Sequence, residues 1–305
     1  MDRRYLLALL AAAATGVQVG AAMVATRFVV GAIGPGSLAL LRYAIAVLCL
    51  LPFFLRQPKT RFTPRDLLAV MALGIGQFGI LIALLNLGLR YMPATRAALL
   101  FTTFPLLTML VAAALGQERL TVAKSTGVVL TILGVAAVLG EKLLVGGSPQ
   151  EWLGAALVLG AALCGALCSV AYRPYLRRYP TLPVGFWAML ASVGGLSLLA
   201  ATEGFFTAPP PLSPGFWAAV LFIGVSSGIG YTLWLWALKY ASPTHATLFL
   251  ALSPVVAALL GVIALGEAFT WGLGLGLLGV TGGLLVATRA PRPAPNAAPP
   301  RPTTS

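Results

Sequence analysis

One stretch of this chain occurs twice, and the distance between its two copies limits the possible folds more than any other feature. Residues 90–134 align without a gap with residues 239–283, at an offset of 149 positions. Ten of the 45 paired positions are identical, and they include Tyr, Pro, Glu and Thr pairs that an apolar composition alone rarely aligns. The chain therefore contains a duplicated unit. The identical pairs are Tyr91/Tyr240, Thr95/Thr244, Ala97/Ala246, Leu99/Leu248, Pro105/Pro254, Leu110/Leu259, Glu118/Glu267, Thr121/Thr270, Gly127/Gly276 and Gly134/Gly283.

Apolar segments long enough to cross a membrane lie within and around these copies. With 59% hydrophobic and only 9% charged residues, the chain lacks the polar surface that a water-soluble domain needs. A hydrocarbon core ~30 Å thick requires helices of about 20 apolar residues, and ten segments of this kind follow one another. They lie near residues 4–31, 37–55, 66–89, 92–116, 120–140, 151–175, 183–202, 215–238, 242–265 and 269–289.

The ten segments divide into five per repeat, with the first repeat in residues 1–145 and the second in residues 146–289. Because five is odd, the second copy enters the membrane upside down. The predicted fold is an all-α membrane protein with ten transmembrane helices, arranged as two inverted five-helix repeats. Residues 290–305 are rich in Pro and lack large apolar side chains, so we expect a disordered cytoplasmic tail.

The Lys and Arg residues predict the orientation of this bundle. If the N-terminus is cytoplasmic, 15 of them fall in cytoplasmic segments and five in external segments or their flanks, which places both termini in the cytoplasm. In a soluble protein a net charge of +13 would suggest nucleic acid, but here the basic residues lie between apolar segments and the expected partner is the lipid bilayer. The five external residues are Arg27, Arg42, Arg90, Arg96 and Lys142.

The acidic residues and the single histidine argue against several kinds of chemistry. All seven acids fall at helix ends or in loops, so none lies at mid-membrane, where a proton-coupled pump normally carries a carboxylate. The sequence has no Ser/His/Asp set at membrane depth, no phosphate-binding loop and no metal-ligand cluster, so we expect neither an enzyme nor a cofactor nor a metal. His245 lies near the cytoplasmic start of the ninth helix and is either an interfacial side chain or a gate that titrates near neutrality.

Pro105 and Pro254 lie at matching depths in the fourth and ninth helices. Each removes one backbone donor and displaces the carbonyl four residues earlier, at Phe101 and Leu250. Such a proline is either a tolerated kink or a hinge, and its repetition in both copies favours the hinge. A freed carbonyl at membrane depth is tolerated only where it faces protein or water, so both kinks should face the central axis.

Uncharged polar and aromatic side chains on the first, third, fourth, sixth, eighth and ninth helices predict a central cavity. Individually, each polar group could simply join two helices, a contact worth about 0.6 kcal/mol. Together they indicate an uncharged cavity lined by aromatic rings and amides, which suits an amphipathic substrate with an apolar body. The predicted substrate-binding residues are Thr15, Gln18, Gln77, Phe78, Phe101, Thr102, Tyr172, Tyr231, Trp234 and Phe249.

Glycines and a repeated glutamate predict two further helix contacts. Glycines are frequent in the fifth and tenth helices, so we expect these helices to pack together, either within a monomer or between the subunits of a homodimer. Glu118 and Glu267 occupy equivalent positions but fall on opposite sides of the membrane, so they do not form one binding site seen twice. We expect them to stabilise the tight connections that follow the fourth and ninth helices.

The duplicated motif is similar to that of a known family. The residues that carry it are Gly88–Tyr91, Ala97–Leu100, Pro105 and Gly116–Thr121, with Leu41–Tyr43 at the start of the second helix. They resemble the EamA-type exporters of the drug/metabolite transporter superfamily, and the aromatic helices are most similar in character to those of bacterial aromatic amino acid exporters. The second copy of the motif comprises Ala237–Tyr240, Ala246–Phe249, Pro254 and Gly266–Thr270.

The resemblance implies a ten-helix inverted-repeat bundle in the bacterial inner membrane that exports amino acids or related metabolites. Small multidrug members of the superfamily carry a glutamate within the first helix, whereas this chain has Thr15 and Gln18 there. We therefore expect export of an amphipathic small molecule by alternating access, with aromatic amino acids as the first candidates. A multidrug exporter of cationic amphiphiles and a non-transporting membrane scaffold are the alternatives.

Overall fold

All regular secondary structure in the described part of the chain is helical. The computed structural model describes residues 3–117, 122, 125–127, 129–130, 132–134, 148–208, 211, 213–241, 246, 249–267 and 270–288. Within these residues, seven helical segments are long and apolar enough to cross a membrane, and the predicted fifth, ninth and tenth spans lie partly outside them. The prediction of an all-helical, multi-pass membrane protein is therefore confirmed.

The helices of the first half run from α1 to α6, and those of the second half from α7 to α11. The first half comprises α1 Arg3–Val29, α2 Pro35–Leu55, α3 Pro64–Gly74, a π-helical turn Ile75–Ile80, α4 Leu81–Tyr91, α5 Ala94–Phe101 and α6 Phe104–Ala114. The second half comprises α7 Pro149–Arg178, α8 Thr181–Thr202, α9 Pro214–Tyr240, a 3₁₀ turn Phe249–Leu252, α10 Ser253–Leu265 and α11 Trp271–Thr288.

Prolines and hydroxyl caps set the starts of several helices. α3, α7 and α9 each begin with Pro, whose missing N–H is not needed in the first turn of a helix. The residue before each of these prolines caps the helix with its side-chain hydroxyl. Thr63, Ser148 and Ser213 accept hydrogen bonds from the backbone N–H groups of Asp66, Glu151 and Phe216, at 3.2 to 3.4 Å. These caps satisfy N–H groups that the helix itself leaves without partners.

The two halves pack into each other rather than side by side. α1 packs against α9 and α10, α2 against α8 and α9, and α4 against α7. Glycines permit the closest of these contacts, because a Cβ atom at Gly16 or Gly20 would collide with the carbonyl oxygen of Phe249 or Ser253. The first helix therefore lies directly against the irregular part of the predicted ninth helix.

Both helices that carry a duplicated proline are interrupted at the predicted place. α5 ends at Phe101 and α6 begins at Phe104, one residue before Pro105. In the second half, the 3₁₀ turn ends at Leu252 and α10 begins one residue before Pro254. The helix distortions are confirmed by these breaks, and movement at them stays a prediction.

The glycine-rich fifth and tenth spans are in contact within one chain, which is one of the two arrangements that the sequence left open. A Cβ atom at Gly279 in α11 would lie 2.8 Å from the Cα atom of Gly134. This close approach accounts for the glycines without a second subunit. Glu118 lies outside the described residues, whereas the side chain of its equivalent, Glu267, reaches the other half of the molecule.

Candidate functional site

A cavity of about 80 Å³ lies between the two halves, near the middle of the bundle. α1, α2, the π-helical turn, α4, α5, α6, α9 and the 3₁₀ turn all contribute to its wall, so both repeats build it. The lining residues are Thr15, Gln18, Val19, Ala22, Met23, Thr26, Arg42, Tyr43, Gln77, Phe78, Leu81, Ile82, Leu85, Leu89, Phe101, Phe104, Ser227, Tyr231, Trp234 and Leu250.

Seven of the ten predicted substrate-binding residues line this cavity, namely Thr15, Gln18, Gln77, Phe78, Phe101, Tyr231 and Trp234. Thr102 does not, because it lies in the helix break and its hydroxyl donates to the carbonyl of Leu99 at 2.5 Å. Tyr172 is fully buried in α7 beside Tyr231, and Phe249 is half-buried behind the cavity wall, against α1.

Two of the helix assignments need correction. The predicted sixth helix, α7, contributes no residue to the cavity lining, so its polar and aromatic side chains pack between helices. The second helix, α2, was not expected to line the cavity, yet it contributes Arg42 and Tyr43. The reason is the packing of α2 against α8 and α9, which turns one face of α2 towards the centre.

Arg42 makes the cavity charged, which contradicts the prediction of an uncharged site. Arg42 is only 7% exposed, and its Nε donates to the hydroxyl of Ser227 in α9 at 2.7 Å. Since α2 begins at Pro35, Arg42 lies seven residues, or about 10 Å, inside the helix rather than at its external flank. An ionisable side chain at this depth is costly and is usually functional, so the sequence contained a signal that counting flanking charges missed.

A wide turn of π-helix presents Gln77 to the cavity. Gln77 lies in the turn Ile75–Ile80 and is 9% exposed, and its Oε1 atom has no hydrogen-bond partner in the described part of the chain. The thiol of Cys164 donates to the carbonyl oxygen of Gly76 at 3.3 Å, which meets one acceptor of the turn. Turns of this kind are frequent at functional sites, and an unpaired buried amide oxygen is suited to a ligand or a water molecule.

Aromatic rings from both halves form one wall of the cavity. The ring centroid of Phe78 lies 4.8 Å from that of Tyr43 and 4.1 Å from that of Tyr231. Phe104 and Trp234 follow at 6.1 Å from each other. Tyr43 and Phe104 were not among the predicted residues, because nothing in the sequence indicates which face of their helices is central. The array provides an apolar surface for a flat or bulky substrate.

Thr15 and Gln18 use part of their polar capacity to join α1 to α9. The Thr15 hydroxyl lies 3.0 Å from the carbonyl oxygen of Gly230, and the Gln18 amide donates to the Ser226 hydroxyl at 3.3 Å. These are the helix-to-helix contacts that the sequence left open as an alternative. Gln77 is therefore the predicted amide with the greater unused capacity.

Carboxylates cap two helices at one end of the bundle, which we call the Glu203 end. The Glu203 carboxylate accepts from the N–H groups of Gly36 and Ser37 at 2.8 and 2.7 Å, at the start of α2. The Glu267 carboxylate accepts from the N–H groups of Ala94 and Thr95 at 2.9 and 3.2 Å, at the start of α5. Negative charge at a helix N-terminus is stabilising. Glu267 therefore joins the two repeats, beyond the connection between neighbouring helices expected of it.

Asp66 and its partners define the opposite end, which we call the Asp66 end. The Tyr179 hydroxyl donates to Asp66 Oδ2 at 2.7 Å, and the Arg178 side chain, 67% exposed, reaches the same atom at 3.4 Å. This contact joins α3 to the end of α7. His245, the predicted gate, lies outside the described residues.

No group of three or more His, Cys, Asp or Glu side chains that could hold a metal ion occurs among the residues that the structure describes. Aromatic rings, amides and one guanidinium are groups that bind and orient a small molecule. The site therefore offers a binding chamber inside a bundle of membrane-spanning helices.

A duplicated helical bundle with a central polar and aromatic chamber defines a membrane transporter. The chain belongs to the EamA-like transporter family, which it matches over residues 5–140 and 152–289, once in each half. It is thus a multi-pass membrane transporter of small molecules and not an enzyme.

Named relatives agree with this class. A protein of Streptantibioticus cattleyicolor named "Probable terminal-alkyne amino-acid exporter" is 33% identical over 84% of this chain and 85% of its own length. An uncharacterized transporter of Archaeoglobus fulgidus is 28% identical over 86% of this chain and 92% of its own. Among solved structures, a crystal structure of a protein 25% identical to this chain matches with a TM-score of 0.70, covering 92% of this chain and 96% of the other.

Proposed function

We propose that this protein exports amino acids or closely related amphipathic metabolites, with aromatic amino acids as the first candidates. The observation that carries the proposal is the central cavity, in which rings from both repeats face an amide and a guanidinium. The relative named as an amino-acid exporter supports the same substrate class. We infer a bundle of ten transmembrane helices in two inverted five-helix repeats, which functions as a monomer or a homodimer.

Transport proceeds by alternating access around this cavity. A cavity of about 80 Å³ is small beside the ~300–1,000 Å³ of ordinary ligand pockets, so a substrate is admitted in a more open conformation. The helix breaks before Pro105 and Pro254 supply hinges, since Phe101 and Leu250 beside them line the cavity. Rocking at these breaks exposes the chamber to one side of the membrane at a time.

The Glu203 end faces outwards in this proposal, with both termini in the cytoplasm of a bacterial inner membrane. The excess of Lys and Arg in the other connections supports this orientation. The capping contacts of Glu203 and Glu267 then close the external side and must break when the substrate leaves. His245 is assigned to the cytoplasmic side as a gate.

The two alternatives predicted from the sequence are less well supported. A multidrug exporter of cationic amphiphiles would have to bring a positive charge beside Arg42, and no carboxylate among the described residues lines the cavity to offset it. A non-transporting scaffold would not require a buried guanidinium or an unpaired amide at its centre.

Counterflow in proteoliposomes tests the proposal. Vesicles loaded with an unlabelled amino acid receive radiolabelled L-phenylalanine, L-tryptophan or L-leucine outside, with and without a pH gradient. We expect protein-dependent accumulation of at least one of the three, measured against protein-free liposomes. Absence of exchange for all three amino acids would contradict the proposal. Exchange of labelled tetraphenylphosphonium instead would support the multidrug alternative.

A further inference from the structure

We propose that Arg42 binds a carboxylate group of the transported molecule, so that the protein selects carboxylate-bearing substrates and rejects their amides and amines. The inference rests on the proposed transport function and adds the chemical group that is recognised. It also makes α2, which the sequence did not nominate, the helix that determines specificity.

The hydrogen bonding of Arg42 leaves most of its donors available. A guanidinium carries five N–H groups, and in the described part of the chain Arg42 uses only Nε, on the Ser227 hydroxyl at 2.7 Å. Its side chain lines the cavity although its residue is only 7% exposed. The two terminal nitrogens therefore have no partner among the described residues, at the wall of a chamber that a ligand can occupy.

The chemistry of the unused donors selects a carboxylate. The parallel N–H groups of a guanidinium fit the two oxygens of a carboxylate, and this pair is among the strongest charge-assisted hydrogen bonds. No Asp or Glu among the described residues lines the cavity, and the acids of the Glu203 end are occupied by helix N-termini. A buried charge without a counter-charge is expensive, so an anionic group brought by the substrate supplies what the protein lacks.

A hydrogen bond between α2 and α9 does not by itself explain why this position holds an arginine. A neutral side chain that donates a single hydrogen bond to Ser227 would join the helices without the cost of a buried charge. The guanidinium carbon of Arg42 also lies 5.8 Å from the centroid of the Tyr43 ring. This cation–π contact stabilises the positive charge, but it does not use the N–H groups of Arg42 in a conventional hydrogen bond. The remaining N–H groups are thus available for a ligand.

Gln77 supplies a second, independent pointer to a ligand in the same chamber. Its Oε1 is buried and has no partner among the residues that the structure describes, and Gln77 lines the cavity from a different helix. An acceptor of this kind suits the ammonium group of an α-amino acid, while Phe78 and Tyr231 offer rings to an apolar body. The substrate class is therefore an α-amino acid with a free carboxylate and an apolar side chain.

The test compares L-phenylalanine with L-phenylalaninamide, in which a neutral carboxamide replaces the carboxylate. In proteoliposomes of the wild-type protein, we expect kcat/KM for the acid to exceed that for the amide by about 10- to 100-fold. Arg42→Gln should bring this ratio close to one, and Arg42→Lys, which keeps a point charge without the planar fork, should give an intermediate value. Arg56→Gln is the matched control, since Arg56 is exposed just beyond the other end of α2.

Ser227→Ala separates charge from helix packing. It removes the one hydrogen bond that Arg42 makes in the described part of the chain but leaves the guanidinium, so the preference for the acid should persist. Loss of that preference in Ser227→Ala to the same degree as in Arg42→Gln would overturn the proposal in favour of a structural joint. A ratio near one in the wild type, or an unchanged ratio in Arg42→Gln, would also overturn it while leaving transport itself intact.

A competition assay needs no variant and therefore decides the matter even if Arg42→Gln does not fold. Unlabelled 3-phenylpropionate, which has only the carboxylate, should inhibit L-phenylalanine counterflow, whereas phenethylamine, which has only the amine, should inhibit at least tenfold more weakly. Stronger inhibition by the amine would contradict the role of Arg42. Absence of any L-phenylalanine, L-tryptophan or L-leucine counterflow would instead contradict the proposed function, and the inference would fall with it.

Discussion

The central cavity and the Glu203 end of the bundle both place charged side chains among helix backbones, but the charges there have different partners. At the Glu203 end, the carboxylates of Glu203 and Glu267 each accept from two backbone N–H groups. In the cavity, Arg42 donates one hydrogen bond and faces no carboxylate from the described residues. A charge with its partners in place holds helices together, whereas a charge with unused donors is available to a ligand.

The buried amides of the cavity and of the Glu203 end also differ in their hydrogen bonding. The cavity also contains Gln77, whose Oε1 has no partner among the described residues. Asn86, a second buried amide close to the Glu203 end, also has an Oδ1 without a described partner, but its Nδ2 donates to the carbonyl of Pro35 at 2.9 Å. Changes in the cavity should therefore affect transport more than stability. Changes at the Glu203 end should affect stability and gating first.

The largest effect is expected for Trp234→Ala. Trp234 is 3% exposed and provides the largest ring of the cavity wall, so its loss should lower amino-acid counterflow by about 100-fold, through lost contact with the substrate. Trp271→Ala is the matched control, because Trp271 is 90% exposed. Size-exclusion chromatography of both variants checks folding. Equal counterflow in a folded Trp234→Ala variant and the wild type would remove Trp234 from the site.

Gln77→Leu should separate transport from stability, with an effect of about tenfold on KM. Leucine fills a similar volume and removes an amide oxygen without a partner in the described part of the chain, so the melting temperature should stay constant or rise. Asn86→Leu is the matched control and should lower the melting temperature, since it removes a buried hydrogen bond that is in place. A lower melting temperature of Gln77→Leu together with an unchanged KM would mean that Gln77 stabilises the fold and does not contact the substrate.

Much of the fold could be predicted from the sequence because its determinants are repetitive and local. Apolar length defines the spans, and the proline pair defines the two helix breaks at Pro105 and Pro254. The glycines of the fifth and tenth spans indicate close packing, which Gly279 and Gly134 make. Each of these features depends on one segment or one pair of segments, so a pattern in the chain is sufficient to find it.

The site was harder to predict, because membership of a cavity depends on which face of a helix is central. Seven of the ten nominated residues line the cavity, while Thr102, Tyr172 and Phe249 do not. A helix surrounded by apolar neighbours has no strong periodicity to reveal its inner face. The π-helical turn around Gln77 rotates the residues that follow it relative to a regular helix, and the flanking glycines do not identify it from sequence alone.

Arg42 was not among the predicted site residues, although its position within an apolar span could have indicated it. Counting every Lys and Arg for orientation assigned it to an external flank, although five residues of the predicted span precede it. A positive charge within an apolar segment has a different meaning from one in a connecting loop. Depth within the span, read before the orientation count, would have identified it.

Glu203→Gln should weaken the closed Glu203 end by about 1 kcal/mol, or roughly fivefold in the opening equilibrium. Glutamine keeps one oxygen for Gly36 or Ser37 but loses the charge at the helix N-terminus. The melting temperature should fall, and the difference from the wild type should shrink at high salt, because the carboxylate is exposed and screened. Lys59→Gln, in the exposed loop after α2, is the control. A salt-independent loss would indicate packing rather than charge.

The smallest effects are expected for a pair of phenylalanines that the sequence did not distinguish. Phe101 is 5% exposed and lines the cavity, whereas Phe249 does not line it although it was nominated on the same grounds. Phe101→Leu should lower kcat/KM for the transported amino acid by about threefold, because part of an aromatic contact is lost, and Phe249→Leu should change it by less than about twofold. Each substitution replaces a phenylalanine beside one of the two equivalent helix breaks. A general loosening of the breaks would therefore lower transport by both variants to the same degree. A larger effect for Phe249 would mean that the substrate lies closer to the 3₁₀ turn than the cavity walls imply.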